Sequence, residues 1–230
     1  MARNLILLSG GLDSAVNFLI ALDQGGVGAA VTVDYGQKAA AREIAKAGAL
    51  CESRDTRHIV LDATWLSDFS SDALTTAEAP LPRVEPEQLE DAALMAETMR
   101  AVWVPNRNGL LVNMGAAVAE AMDLRWLVMG LNAEEAASFA DNSAAFIREA
   151  NRSLIYSTLS GVRLRSFTTD WDKLEIFEKA LAQGLDFSLI WSCYEGGELM
   201  CGRCESCARL RRVAERSGNS VRLQGLFAEK

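Results

Sequence analysis

Leu5-Ile6-Leu7-Leu8 runs directly into Ser9-Gly10-Gly11-Leu12-Asp13-Ser14, and Ala15, Val16, Leu19, Ile20 and Leu22 follow at helical spacing. An apolar run, a Gly-rich turn and a helix in that order describe a buried parallel strand whose carboxyl end feeds a helix N-terminus. Glycines there let backbone N–H groups approach phosphate oxygens, and the helix start adds a positive dipole end. The hydroxyls of Ser9 and Ser14 can donate further hydrogen bonds. Asp13 would repel a phosphate, so a bound Mg²⁺ or a helix-capping role suits it better. The spacing is neither a Walker A loop, which ends Gly-Lys-Ser/Thr, nor the dinucleotide fingerprint. Residues 8–14 are therefore the expected phosphate cradle, and an ordinary strand-to-helix turn is the plainer alternative.

The pattern continues along the chain. Residues 3–8 read as a strand, 13–23 as a helix closed by Gly25-Gly26, and 27–33 as a second strand. Residues 37–52 are Ala-rich and amphipathic, and a strand follows at 58–61. This strand–helix alternation predicts a doubly wound α/β domain, Rossmann-like, with helices on both faces of a parallel sheet. Residues 66–102 are less regular, with a loop at Pro80, Pro82 and Pro86 and a short surface helix over 87–98. Beyond them, 108–122 predicts a helix, 126–130 a strand, 140–161 a helix, 162–167 a strand-like piece and 171–184 a helix with Gly184 as C-cap. A last helix is expected over 204–217. The reading divides the chain into residues 1–190, an ATP-binding α/β domain, and residues 191–230, a small metal-binding module packed on it.

Composition narrows the function. Half of the 230 residues are hydrophobic, enough for a sizeable core. No apolar run approaches the ~18 residues of a membrane span, and the four-residue N-terminal run is too short for a signal peptide. A soluble, cytoplasmic protein is the expectation. Lys and Arg number 23 against 31 Asp and Glu, a net charge of −8, which argues for a small-molecule substrate over a nucleic acid. One basic stretch stands apart, with Arg203, Arg209, Arg211, Arg212 and Arg216 against Glu205 and Glu215.

Four of the five cysteines fall at Cys193, Cys201, Cys204 and Cys207. In a reducing compartment such clustering reads as metal ligation before disulfides. Four thiolates at this spacing suit a closed tetrahedral Zn²⁺ site with a structural role, and an iron–sulfur cluster also fits the ligand set. Gly196, Gly197 and Gly202 allow tight turns there, and Arg203 can offset thiolate charge. Cys51 reads as a packed core thiol, and His58 as a core or strand-edge residue.

The loop at 9–14 resembles the pyrophosphate loop of the adenine-nucleotide α-hydrolase-like superfamily, which includes NAD synthase, asparagine and argininosuccinate synthetases, and tRNA thiolation and lysidine enzymes. Four segments in order narrow the likeness: Ser9–Ser14, Asp34-Tyr35-Gly36-Gln37, Val104-Pro105-Asn106-Arg107-Asn108, and Ser192-Cys193-Tyr194 through Cys207. Together they are similar to the 7-cyano-7-deazaguanine synthase family of the queuosine pathway, over essentially the whole chain. The resemblance implies ATP-dependent conversion of 7-carboxy-7-deazaguanine and ammonia into the nitrile, by way of an acyl-adenylate and an amide. It implies one Zn²⁺ on the four cysteines, Mg²⁺ with the ATP, and a homodimer. It assigns Leu8 through Ser14 and Asp34 through Gln37 to ATP, though Tyr35 could equally be core. Catalysis falls to Asp13, Ser14, Arg107 and Lys173, and the substrate to Arg107, Asn108, Phe139 and Asp141.

One segment departs from the family. Where the synthases usually carry an acidic residue and then Gly-Tyr-Pro-Asp-Cys-Arg, this chain reads Ser138-Phe139-Ala140-Asp141-Asn142-Ser143 before Phe146, and a usual Thr-Pro is Ser166-Phe167. Ser143 cannot form the bidentate charged pair that an Arg makes with a carboxylate. Two alternatives follow. A synthase-like paralogue could join a deazaguanine to a protein amine, as some anti-phage defence proteins do. A tRNA-thiolating enzyme could use the basic stretch as a docking patch, against the acidic total charge and the cysteine spacing.

Overall fold

In the computed structural model, which describes residues 2–228, the opening apolar run forms strand β1 (Asn4–Leu7), buried throughout. Its side chains alternate between two layers. Ile6 and Leu8 pack with one set of helices, Leu5 and Leu7 with another. That alternation requires cover on both faces of the sheet, and the remaining elements supply it.

The chain continues through α1 (Leu12–Asp23), β2 (Val27–Asp34), α2 (Ala40–Glu52) and β3 (His58–Asp62). After two 3-10 turns, Thr64–Phe69 and Pro86–Glu90, come α3 (Ala92–Ala101), α4 (Arg107–Ala121), β4 (Trp126–Met129) and the short α5 (Ala133–Ala136). The last part holds α6 (Ala144–Ser157), β5 (Arg163–Arg165), α7 (Lys173–Ala182) and α8 (Glu205–Arg216). The five strands are all parallel, in the order β3-β2-β1-β4-β5. The chain thus winds outward from β1 to β3, then returns to β4 on the other side. This is the expected doubly wound sheet, and its switch point lies between β1 and β4, where the strands' carboxyl ends leave a crevice.

One core layer gathers Phe18 of α1, Leu50 of α2, Phe177 of α7 and Leu210 of α8 against Ile6 and Leu8. The other gathers Val112 and Ala116 of α4 and Leu154 of α6 against Leu5 and Leu7. Each fully buried Leu or Phe here contributes about 1.5–3 kcal/mol of apolar burial. Cys51 and Cys193 belong to the first layer, so the cysteine segment packs into the same core as α1. The Cys51 thiol is pushed up to about 12 by burial, as suits a packed core thiol. Burial lowers His58, whose Nε2 hydrogen-bonds Thr32 Oγ1 at 2.7 Å across β3 and β2. No helix among the described residues is long and apolar enough to cross a membrane.

Local chemistry moves several helix boundaries. The helix expected over 140–161 starts at Ala144, because Ser143 Oγ accepts the Phe146 N–H as an N-cap; residues 140–142 form a separate 3-10 turn. The helix expected over 87–98 breaks at Asp91, whose carboxylate accepts from Ala93 and Leu94 and opens α3. A capping box between Asp172 and Glu175 starts α7 at Lys173 instead of 171. Gly184, at φ +66°, ends that helix by donating its N–H to Leu181 O, as expected.

Candidate active site

The crevice above β1 and β4 is a cleft of about 250 Å³. The loop 9–14 forms its floor: Leu8, Ser9, Gly11, Leu12, Asp13 and Ser14 line it, while Gly10 lies behind. Gly10 has φ +80°, and a Cβ there would meet Glu43 O at 2.9 Å, so the turn requires glycine. No side chain caps the start of α1, where Gly11 is the N-cap, so its first-turn N–H groups face the cleft without a side-chain acceptor. Ser14 Oγ donates to Gly11 O (2.9 Å) and lies 3.2 Å from Ser9 Oγ, which fixes the loop. The end of β4 presses on it: a Cβ on Gly130 would lie 2.6 Å from Ser14 N and 2.7 Å from the Asp13 carbonyl carbon.

Asp13 and Lys173, 160 residues apart, meet at 2.6 Å. Lys173 stands in the first turn of α7, and its Nζ also reaches Glu135 Oε1 of α5 at 2.8 Å. Asn132 caps α5 and donates to Asp13 Oδ2 at 2.9 Å. The other oxygen, Asp13 Oδ1, is buried without a partner. Burial would lower Lys173, but Asp13 and then Glu135 outweigh it and hold the ammonium above its usual range. Burial likewise favours neutral Glu135, yet Lys173 overrides it and holds the carboxyl at about 2. Asp13 is pushed upward by burial against the pull of Lys173.

The second wall comes from β2 and α4. Arg107, first residue of α4, donates to Tyr35 OH (3.3 Å) and to Asn108 Oδ1 (3.2 Å), its guanidinium 5.6 Å from the Tyr35 ring centre. Arg107 is held above its usual value: burial opposes the charge, but Tyr35 and then Asp141 favour it. Tyr35, Gln37, Arg107, Asn108 and Phe139 all line the cleft. Asp34 and Gly36 do not reach it; the Asp34 carboxylate accepts the Gly36 N–H at 2.9 Å and closes the turn behind Tyr35. Asp141 joins through its backbone carbonyl, which accepts from Asn108 Nδ2 at 3.3 Å, and its neighbour Asn142 faces the cleft. Phe139 stacks on Trp103, with centroids 6.2 Å apart and planes 9° from parallel.

Four residues of the cleft stand outside the site expected from the sequence: Glu43, Glu135, Glu205 and Arg209. Gln37 Nε2 donates to Glu43 Oε2 at 2.8 Å, and burial pushes this carboxyl up to about 7. Asn132 followed three residues later by Glu135 is a helix-start pattern that could have flagged α5. Three of the five arginines in the basic stretch at 203–216 find partners within the fold, whereas Arg203 and Arg216 are exposed. Arg209 pairs with Glu205 (2.8 Å) and Glu134 (3.0 Å), Arg212 with Glu134 (3.2 Å), and Arg211 donates to Gly202 O. Glu134 in turn accepts the Lys173 backbone N–H at 3.0 Å.

The four cysteine Sγ atoms lie within 4.8 Å of one another, all buried, with Cys201 and Cys207 at 3.9 Å. A tetrahedron of thiolates around one ion with ~2.3 Å bonds has edges of ~3.8 Å, so the cluster has the size for a single metal ion. Backbone N–H groups of Glu195 and Cys201 point at Cys193 Sγ, and those of Arg203 and Cys204 at Cys201 Sγ, a donor set that favours thiolates. Arg203 therefore serves through its backbone. The segment also closes the cleft, since Trp191 donates its N–H to Gly10 O at 2.7 Å.

A family model described as queuosine biosynthesis protein QueC matches residues 3–217. The 7-cyano-7-deazaguanine synthase of Pelotomaculum thermopropionicum is 47% identical over 94% of this chain and 98% of that protein. Its counterpart from Desulforudis audaxviator is 48% identical over 96% of this chain and 100% of that protein. The synthase of Methanosarcina barkeri is 37% identical over 94% of this chain and 95% of that protein.

Proposed function

This chain belongs to the QueC family of queuosine biosynthesis proteins, and we propose that its cleft makes 7-cyano-7-deazaguanine from the 7-carboxy acid, ammonia and ATP. The observation that carries the reading is the Asp13–Lys173 pair beside an uncapped helix start, in one cleft with the Arg107 cation.

A carboxylate resists attack by ammonia until its oxygen gains a good leaving group. Here the acid attacks ATP's α-phosphorus, pyrophosphate departs, and an acyl-adenylate forms. The N–H groups at the start of α1, with Ser9, Ser14 and Lys173, hold the charge that gathers on the departing phosphates. Arg107 seats the acid's carboxylate, with Asn108, Phe139 and Asp141 shaping the pocket for the planar base. Ammonia displaces AMP to give the amide; a second ATP activates the amide oxygen, and departure of AMP leaves the nitrile. Residues 8–14 and 34–37 form the nucleotide side, Asp34 and Gly36 acting by shaping the turn that presents Tyr35 and Gln37. Much of the acceleration is positional.

Two metal ions complete the proposal. Mg²⁺ neutralises phosphate charge when bound, and Asp13, with a buried unpartnered Oδ1, is the residue to hold it. Zn²⁺ held by Cys193, Cys201, Cys204 and Cys207 gives the cysteine segment its shape; the 3.9 Å thiol spacing suits one ion better than a cluster. A homodimer also belongs to the proposal, supported by the exposed Ile155, Tyr156 and Leu159 at the end of α6.

The test is incubation with ATP, ammonium and 7-carboxy-7-deazaguanine, read by mass spectrometry. The nitrile is expected. Its absence, with a mass increase on a co-encoded protein, would replace this reading with the conjugating one.

A further inference from the structure

Four carboxylates line the cleft: Asp13, Glu43, Glu135 and Glu205. Three are committed to cations, Asp13 and Glu135 to Lys173 and Glu205 to Arg209. Among the described residues Glu43 makes no ion pair; the neutral Gln37 amide is its hydrogen-bond partner, at 2.8 Å. It stands on α2 directly behind the phosphate loop, its own carbonyl against Gly10. Arg107 of α4, the proposed seat of the substrate carboxylate, acts on it electrostatically, as do Asp34 of β2 and the neighbouring Tyr35. Among the described residues Glu43 is therefore the cleft's one carboxylate free to exchange a proton, and it shares its surroundings with the reacting carbon's anchor.

The proposed reaction needs such a group twice. When ammonia attacks the acyl-adenylate, the nitrogen lone pair forms the C–N bond, AMP leaves with the C–O pair, and nitrogen must shed a proton. When ATP activates the amide oxygen, one amide proton leaves to water as the imidate forms; when the imidate collapses, its N–H pair becomes the third C–N bond, the C–O bond to AMP breaks, and the last proton leaves nitrogen. We propose that Glu43 is the catalytic base that accepts the nitrogen's proton in both steps. This rests on the synthase reading above. Burial opposes charge on Glu43 more than Gln37 and Arg107 favour it, so the group titrates at about 7, where it can take a proton and return it to water.

Glu43→Gln keeps the shape and the contact with Gln37 while removing the base. With wild-type enzyme, nitrile formation and its pH profile are measured first. In Glu43→Gln, one pyrophosphate per site should still be released within about tenfold of the wild-type rate, while amide and nitrile formation fall about a hundredfold or more. The acidic limb near neutral pH should vanish, and Glu43→Asp should restore it. The assignment is overturned if pyrophosphate release falls in step with amide formation, if KM for ATP carries the loss, or if the limb persists in Glu43→Gln. A wild-type enzyme that makes no nitrile overturns the synthase reading itself, and this assignment with it; a nitrile-making one with an unaltered variant profile overturns Glu43 alone.

Discussion

Replacing Lys173 by Met removes the ammonium that lies between Asp13 and Glu135 and leaves two buried carboxylates facing each other. Side-chain exposure is 10% for Lys173, 12% for Asp13 and 29% for Glu135, so this is a buried pairing, not a surface ion pair. Removing one partner of such a pair costs about 3–5 kcal/mol. At about 2–4 °C per kcal/mol for a chain of this length, the ligand-free protein should melt about 6–20 °C lower near neutral pH. The pH dependence separates this cause from lost packing. In the parent, Glu135 is held at about 2, below its ordinary value; that contribution is full above the unfolded pKa and is lost only as pH falls through the folded one. In Lys173→Met the sign reverses. Burial now raises both carboxyls, the folded state binds more protons than the unfolded, and stability falls as pH rises above the unfolded pKa. If one glutamate carboxyl titrates two units high, acidification from about pH 8 to about pH 5 returns about 1.9 kcal/mol of a full ~2.7, the rest only below the unfolded pKa. Scanning calorimetry across that range should show the gap to the parent closing toward acid. A constant gap would refute the electrostatic account.

Three other perturbations have defined outcomes. Ser14→Ala removes the hydroxyl that donates to Gly11 O at 2.9 Å; it should cost about 1 kcal/mol of stability, and acid-dependent pyrophosphate release should fall about 10²–10³-fold. Retained turnover would refute the phosphate-loop role. Gly130→Ala places a methyl 2.6 Å from Ser14 N, so the loop must shift, at about 1–3 kcal/mol, and ATP affinity measured by calorimetry should drop while metal content stays constant. Cys204→Ser removes one thiol of the cluster; zinc measured by mass spectrometry should fall from about one per chain toward none, with lower thermal stability. Undiminished zinc would remove the cysteines from the metal site.

What could be read from the sequence was what short stretches of chain encode. The loop at 9–14, the alternating elements and the four cysteines are each local patterns, and the structure joins strand to loop to helix, builds the parallel sheet and gathers the four thiols. Glu135, Arg209 and Glu43 could not be placed in the site from sequence for the opposite reason. Glu135 gains its meaning from Lys173, 38 residues on, and Arg209 from Glu134, 75 residues back. The arginines of 203–216 looked like an open basic patch because their charge was legible and their partners were not. Helix starts moved wherever a capping side chain decided them, as at Ser143, Asp91 and Asp172. The altered segment at 138–143 now has a local account. Ser143 is spent as the α6 N-cap, and Phe139 stacks on Trp103, so the positions that depart from the family serve the pocket's frame and rim.

The hydrogen bond from Trp191 to Gly10 carries a consequence for the life of the protein on the ribosome. The loop at 9–14 is made well before its partners: Trp191, which closes it, follows Gly10 by 181 positions, and Lys173 comes 160 after Asp13. At about 5–20 residues per second the loop waits roughly 10–35 s for its partners. During that interval the nascent chain holds the residues proposed to contact the nucleotide without the groups that organise them. The groups that organise the loop therefore arrive together, only once residues 173–191 have been made.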